Sequence, residues 1–304
     1  MEYVLKTHAL KKYYGHYKAL NGLTMNVPKG AIYGFVGKNG AGKTTLIRLV
    51  CGLQEPTEGN YEIYGIRNTK KEIIKSRRRM GAIVETPSIY LDMTAEDNMK
   101  MQYRILGMPS FEGISDRLKL VGLENTGKKK TKNFSLGMRQ RLGIALALAG
   151  DPDFLILDEP VNGLDPQGIV EIRELILKLN REYGITILIS SHILDELAKL
   201  ATHFGFIDNG QIIKEISASE LDAACRKCMH LTVSDAKILS RVLDQLGLEY
   251  TILSNNEADV FGKISVTELT LKLSEQNCEV KSIQERDESL ENYYINLVGG
   301  NRNV

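Results

Sequence analysis

The stretch Gly37-Lys38-Asn39-Gly40-Ala41-Gly42-Lys43-Thr44-Thr45 constrains this chain more than any other. It fits the pattern G-x-x-x-x-G-K-[ST]. Before it stands Ala31-Ile32-Tyr33-Gly34-Phe35-Val36, a short apolar run that reads as a buried strand, and after it Leu46, Ile47, Leu49 and Val50 recur at helical spacing. A strand, a glycine loop and a helix N-terminus together make an anion cradle. Glycines let successive backbone N–H groups turn toward phosphate oxygens, and the helix dipole adds positive potential. In such a cradle Lys43 reaches the β- and γ-phosphates, and the Thr44 hydroxyl can ligate Mg²⁺. The pattern therefore predicts an α/β fold with a nucleoside-triphosphate site at residues 37–45.

A phosphate loop alone leaves the metal and the attacking water unaccounted for. Phe154-Leu155-Ile156-Leu157 reads as a buried strand, and Asp158-Glu159 follows at its C-terminal edge. Asp158 there can hold Mg²⁺ directly or through water. Glu159 can orient and deprotonate the nucleophile, as phosphoryl transfer to water requires. The plainer alternative for an Asp-Glu pair after a strand is a helix cap.

The rest of the composition bounds the class. The 304 residues suggest two domains, and 43% hydrophobic with 25% charged residues is the profile of a soluble globular protein. A net charge of +1 leaves no footprint for nucleic acid. Lys128-Lys129-Lys130 with Lys132 reads as a solvated loop. No apolar stretch approaches the roughly 18 residues that span a bilayer, and the first residues lack a signal-peptide core. The expectation is a cytoplasmic chain whose membrane role, if it has one, needs a partner. Cys51, Cys225, Cys228 and Cys278 argue against a disulfide framework in such a compartment. Cys225-x-x-Cys228 with His230 and Cys278 could supply metal ligands. The pair falls in an expected helix and lacks a second C-x-x-C, so incidental thiols are the favoured reading.

Along the chain, residues 2–30 read as strand, aromatic loop (Lys12-Tyr13-Tyr14-Gly15-His16-Tyr17) and strand. Residues 53–68 read as an antiparallel ribbon turning at Gly59-Asn60. A helical insert is expected over about residues 92–149, opened by a cap at Thr94-x-x-Asp97. Its last helix starts after Ser135, with Leu142, Ala145, Leu146 and Ala149 on one face. Asp165-Pro166 then starts a helix, as N-cap and N1. Asp208-Asn209-Gly210 marks a hairpin. Residues 217–304 read as a separate β-α-β-β-α-β unit, ferredoxin-like, with a last helix from about Ser289.

Over residues 4–216 the chain resembles the nucleotide-binding subunit of ATP-binding-cassette transporters. Phe134-Ser135-Leu136-Gly137-Met138 resembles the family's signature L-S-G-G-Q, with Ser135 and Gly137 matching. Ser135 can cap the following helix, whose N-terminus can receive a γ-phosphate. The resemblance implies that Ser135 and Gly137 act on the nucleotide of an opposite subunit. It implies that Asp165 lies on the loop crossing that interface, that His192 senses the γ-phosphate, and that Tyr14 stacks on adenine, with Tyr13 as alternative. Where the family has glutamine, Ala82-Ile83-Val84-Glu85-Thr86-Pro87 puts Glu85, a further candidate metal contact unless it is a plain surface residue. This glutamate and the C-terminal region resemble the exporters for bacitracin and lantibiotic peptides.

The expected fold is a P-loop α/β core with an antiparallel β subdomain, a helical insert (domain 1–216) and a small α+β C-terminal region (217–304). The expected function is Mg²⁺-dependent ATP hydrolysis, with Lys43, Glu159 and His192 catalytic. Two chains would meet head to tail, and they would energise a separate membrane permease exporting a peptide antibiotic or similar compound. The chain would thus lie on the inner face of the cell membrane through that permease. A soluble ATP-driven switch and a P-loop kinase are the rivals. The first lacks its expected coiled coil, second cassette or basic linker, and the second would not carry Ser135-Leu136-Gly137 ahead of Asp158-Glu159.

Overall fold

Period-two alternation makes Tyr3–Tyr14 (β1) and Tyr17–Pro28 (β2) an antiparallel hairpin, joined only by Gly15 and His16. The expected aromatic loop is therefore mostly strand, with Tyr14 directly opposite Tyr17. The computed structural model describes residues 2–224, 228–262, 265–286 and 290–299. Five consecutive buried residues form Ile32–Val36 (β3), and Lys43–Val50 (α1) follows the glycine loop. Glu58–Ile63 (β4) pairs with β1 on one side and with Ile66–Arg67 (β5) on the other.

The turn of this ribbon lies at Tyr64 and Gly65, both at positive φ, and not at Gly59-Asn60. Gly59 sits inside β4, where a Cβ would come within 2.4 Å of the Ala9 carbonyl oxygen. It is glycine for close backbone approach beside an irregular register, a role that looks like a turn signal in sequence.

Ile73–Arg77 (α2) leads to Met80–Ile83 (β6). Ala95–Leu106 (α3), Ile114–Leu120 (α4) and Leu136–Ala147 (α5) form the helical segment. Thr94 caps α3 through the Asp97 N–H at 3.1 Å, as the sequence predicts. The apolar surface of α5 is wider than the expected single face: Gln140, Leu142, Gly143, Ile144 and Ala145 are buried, and Leu146 is only partly so. A Cβ on Gly143 would stand 2.6 Å from Pro87, which accounts for a glycine inside the helix.

Phe154–Asp158 (β7), Pro166–Tyr183 (α6), Thr186–Ser191 (β8), Leu194–Ala198 (α7), His203–Asp208 (β9) and Gln211–Ser217 (β10) complete the core. The six-stranded sheet runs β10-β9-β3-β8-β7-β6, parallel throughout except for the β9–β10 hairpin. Its central strands are buried along their whole length, which is why they read as apolar runs without alternation. A second sheet, β2-β1-β4-β5, is antiparallel. Leu5, Leu23, Met25 and Tyr61 of that sheet share one core with Leu46, Ile47 and Val50 of α1 and with Phe35 and Ile156. Burying each such aliphatic side chain stabilises by about 1.5–3 kcal/mol, so the phosphate-loop helix is anchored by packing.

The chain divides into two compact units, Met1–Ala218 and Ser219–Val304. Ala218–Ala224 (α8) starts at the division. The second unit contains Cys228–Val233 (β11), Ala236–Gln245 (α9), Glu249–Ile252 (β12), Glu257–Phe261 (β13), Val266–Glu275 (α10), Val280–Arg286 (β14) and Leu290–Gly299 (α11). Its sheet is antiparallel in the order β12-β13-β11-β14, the split β-α-β arrangement, over a core of Leu231, Leu239, Leu243, Val260, Leu269 and Leu273. Cys228 lies on a strand, not on the expected helix, and Cys225 and Ser289 lie outside the described residues. Among the described residues no group of three or more His, Cys, Asp and Glu side chains could hold a metal.

Candidate nucleotide-binding site

Strand register builds the site. Val36 of β3 lies opposite Ser191 of β8, and Asp158 of β7 lies opposite Ser190. The loops leaving β3, β7 and β8 therefore start from one carboxyl edge of the sheet, where α/β proteins bind ligands. Those loops carry Gly37–Gly42, Glu159 and His192.

Glycine is imposed at two points of the phosphate loop. At Gly37 a Cβ would lie 2.5 Å from Ile207 Cγ2 and 2.7 Å from the Ile207 carbonyl oxygen. Gly42 has φ +111° and would bring a Cβ to 2.5 Å from the Ala19 carbonyl oxygen. Lys38, Asn39 and Gly40 are open to solvent, whereas Ala41, Gly42 and Lys43 are buried and Thr44 and Thr45 partly so. Lys43 Nζ donates to the Gly37 carbonyl at 2.6 Å and to the Lys38 carbonyl at 3.3 Å, which places its ammonium inside the loop it serves.

Asp158 is 1% exposed and holds both oxygens in hydrogen bonds: Thr44 Oγ1 donates to Oδ2 at 2.9 Å, and the Ser190 hydroxyl to Oδ1 at 2.5 Å. Glu159 adopts φ +50°, unusual for a residue with a side chain. Its N–H donates to the Ser190 carbonyl and hydroxyl, both at 3.1 Å, so Ser190 fixes the two acidic residues together. Glu159 Oε2 meets His192 Nδ1 at 2.8 Å. Its other oxygen, Oε1, is buried without a hydrogen-bond partner, with Lys43 Nζ 3.3 Å away but outside hydrogen-bonding geometry. Lys43, Thr44, Asp158, Glu159 and His192 thus form one connected cluster. Ser190 was not singled out in the sequence; its only signal was its place at the end of a buried strand.

The other candidates occupy different settings. Tyr14 is half-exposed, bonds Gln54 through its hydroxyl, and carries Lys12 Nζ 5.4 Å above its ring. Tyr17 donates to the Gly40 carbonyl at 3.1 Å. Ser135 caps α5 by accepting from the Met138 N–H at 3.2 Å and is exposed. Gly137 has room for a Cβ, with Leu164 Cδ2 at 3.9 Å. The buried Phe134 fills the leucine place of the signature, while Leu136 is half-exposed beside Gly163. Asp165 caps α6 through the Gly168 N–H at 3.1 Å. Glu85, at φ +62°, pairs with Arg48 of α1 and does not join the Asp158 hydrogen bonds.

The ABC transporter family model matches residues 20–162, spanning the phosphate loop, the signature and Asp158-Glu159. The bacitracin transport ATP-binding protein BcrA of Bacillus licheniformis is 42% identical over 305 residues, covering 99% of both chains. The chain belongs to the ABC transporter family. It is an ATP-binding, ATP-hydrolysing subunit of that family. The lantibiotic transport ATP-binding protein SrtF of Streptococcus pyogenes is 47% identical over 219 residues, 71% of this chain and 93% of that one. A solved ATP-binding cassette, dimeric in a post-hydrolysis state with ADP and Pi, superposes with a TM-score of 0.63 at 25% identity, covering 70% of this chain and 98% of that one. Among the described residues no helix is long and apolar enough to cross a membrane.

Proposed function

We propose that this ABC subunit hydrolyses Mg-ATP between two copies of itself, arranged head to tail, to energise a separate permease that exports a peptide antibiotic or similar compound. The observation that carries the chemistry is the buried Oε1 of Glu159, which accepts no hydrogen bond and is ion-paired with Lys43 Nζ at 3.3 Å. A buried carboxylate oxygen beside a phosphate cradle, freed from its lysine when that lysine moves to the phosphates, is placed to accept a proton from water. In this reading Glu159 orients the water that attacks the γ-phosphorus; the bond to the bridging oxygen breaks, and the proton passes to Glu159. His192 holds the other carboxylate oxygen and senses the γ-phosphate. Lys43 leaves the Gly37 and Lys38 carbonyls for the phosphates.

Thr44 and Asp158 present only oxygen donors, the set that a hard cation such as Mg²⁺ prefers. Bound there, Mg²⁺ would neutralise charge on the β- and γ-phosphates. Glu85 would add a carboxylate on leaving Arg48. Residues 37–45 cradle the phosphates, Tyr14 stacks on adenine, and Ser135, Gly137 and Asp165 serve the partner copy's nucleotide. Residues 1–216 form the cassette and 217–304 an accessory domain.

The bacitracin and lantibiotic relatives support the cargo class, and the dimeric cassette supports the pairing. Attachment to the inner membrane face follows from the permease. The test is co-expression with a candidate permease, a polytopic membrane protein from a neighbouring reading frame. Co-purification and ATPase activity stimulated by bacitracin or a lantibiotic are expected. A chain that hydrolyses ATP but binds no membrane protein would return it to the soluble switches.

A further inference from the structure

We propose that Tyr17 is a positioning residue for the triphosphate: its hydroxyl fastens the phosphate loop to the hairpin that carries the adenine platform. This rests on the reading of residues 37–45 as the phosphate cradle. The geometry begins with register. Tyr14 and Tyr17 are direct cross-strand partners on either side of the Gly15-His16 turn, so their side chains share one face. Their hydroxyls diverge, Tyr14 to Gln54 and Tyr17 to the Gly40 carbonyl at 3.1 Å.

The Gly40 carbonyl belongs to the Gly40–Ala41 peptide, a planar unit whose N–H and C=O turn together. Gly40 at φ +82° precedes that unit, and Gly42 at φ +111° follows one residue on. Glycine restricts its backbone least of all residues, so sterics alone do not fix how this peptide faces. Two hydrogen bonds do: the Ala41 N–H donates to the Lys38 carbonyl at 3.1 Å, and Tyr17 donates to the Gly40 carbonyl. Beyond it, the Ala41 carbonyl accepts from the Gly210 N–H at 3.1 Å. Tyr17 is thus the one side-chain grip on this peptide among the described contacts. A hydroxyl bonded to a carbonyl does not compete with an anion, which needs the N–H groups. The contact can therefore persist while phosphate binds, preorganising the cradle and tying it to Tyr14.

The test measures the affinity of the full chain for Mg-ATP and for inorganic tripolyphosphate, which has no base to stack. Tyr17→Phe removes only the hydroxyl and should weaken both ligands by the same factor, about two- to tenfold, the range of one hydrogen bond. The ratio of the two affinities should stay as in the wild type. Tyr14→Ala should do the opposite, losing ATP and keeping tripolyphosphate. Because Tyr17 is 56% exposed, Tyr17→Phe should melt at the wild-type temperature without ligand, separating loop positioning from a fold defect. Wild-type affinities in Tyr17→Phe, or loss of ATP alone, overturn the proposal. Unchanged tripolyphosphate affinity in Lys43→Ala would instead sink the underlying reading of the cradle.

Discussion

Lys43 Nζ stands 3.3 Å from Glu159 Oε1, yet it directs its closest hydrogen bond, 2.6 Å, to the Gly37 carbonyl. The carboxylate proposed as general base and the cation proposed to bind phosphate are therefore an ion pair without a hydrogen bond between them. Lys43 holds a carbonyl that it can give up, and Glu159 keeps an oxygen whose hydrogen-bonding capacity is unused.

Glu159→Gln is expected to keep ATP binding, because the amide fits the same space and retains one carbonyl oxygen. It should lose about a hundredfold or more in turnover, the usual contribution of a positioned base. An ATP-bound dimer should then accumulate, visible by size-exclusion chromatography. Near-normal turnover would remove Glu159 from that role.

Lys43→Ala removes a buried cation from the loop. A charge-assisted contact is worth about 1.5–3 kcal/mol, so Mg-ATP affinity should fall at least tenfold. Isothermal titration decides it, and an unchanged Kd would falsify the assignment.

Composite sites make a separate prediction. Lys43→Ala and Ser135→Arg should each abolish turnover in homodimers, yet mixing them should restore some. In head-to-tail pairing, a mixed dimer puts both lesions in one site and leaves the other intact. ATPase assays across mixing ratios measure this, and no recovery at any ratio counts against the trans arrangement.

How legible was all this in the sequence? The phosphate loop and the Asp158-Glu159 edge were, because both depend on local order: an apolar run, then residues fixed in spacing. The six-stranded core followed, since buried central strands advertise themselves as unbroken apolar runs. Partners were not legible. Ser190 grips Asp158 and Glu159, Arg48 grips Glu85 and Gln54 grips Tyr14 only because the sheets bring distant positions together. Glycine was ambiguous for a physical reason: Gly59 allows a close backbone approach but looks in sequence like the turn that Tyr64 and Gly65 make. Cys228 stands on β11 and not on a helix, because that strand pairs with β13 on one side and β14 on the other, contacts that no local signal announces.

Burial pushes the Cys51 thiol up to about 12; Arg77 pulls it down, and Asp158 raises it further. The folded thiol therefore stays protonated where an unfolded one, near 8.5, ionises. Alkylation of Cys51 at pH 8 should be slow and should follow unfolding. The sign for stability follows: a raised folded value gives a contribution present below the unfolded value and lost as pH climbs toward the folded one. The stability difference between wild type and Cys51→Ala should hold below about pH 8.5 and shift against the wild type through about pH 9–11. Denaturant titrations across that window check it, and a pH-independent difference would show the thiol to be unperturbed.

Glu85 poses the sharpest question, because it pairs with Arg48 and is also the proposed third metal contact. Here it pairs with Arg48, and its φ of +62° is a conformation that side-chain-bearing residues rarely adopt. Both side chains are substantially exposed, so the ion pair itself contributes little to stability. Its value lies in where it holds the loop leading from β6 toward the helical segment. Glu85→Gln keeps an oxygen of similar reach but loses the full charge, both toward Arg48 and toward Mg²⁺. ATPase activity should stay within about tenfold of the wild type, a change of no more than ~1.4 kcal/mol. Glu85→Ala removes both contacts while leaving the strained backbone in place. It should lose permease-coupled activity while the isolated chain still binds Mg-ATP. Measuring ATPase and transport in the reconstituted complex for both variants, with Arg48→Ala beside them, separates the partners. If Arg48→Ala behaves like Glu85→Ala, the ion pair sets the coupling; if Arg48→Ala is normal, the metal-facing role does. Full coupled activity in Glu85→Ala would leave Glu85 a surface residue that happens to meet an arginine.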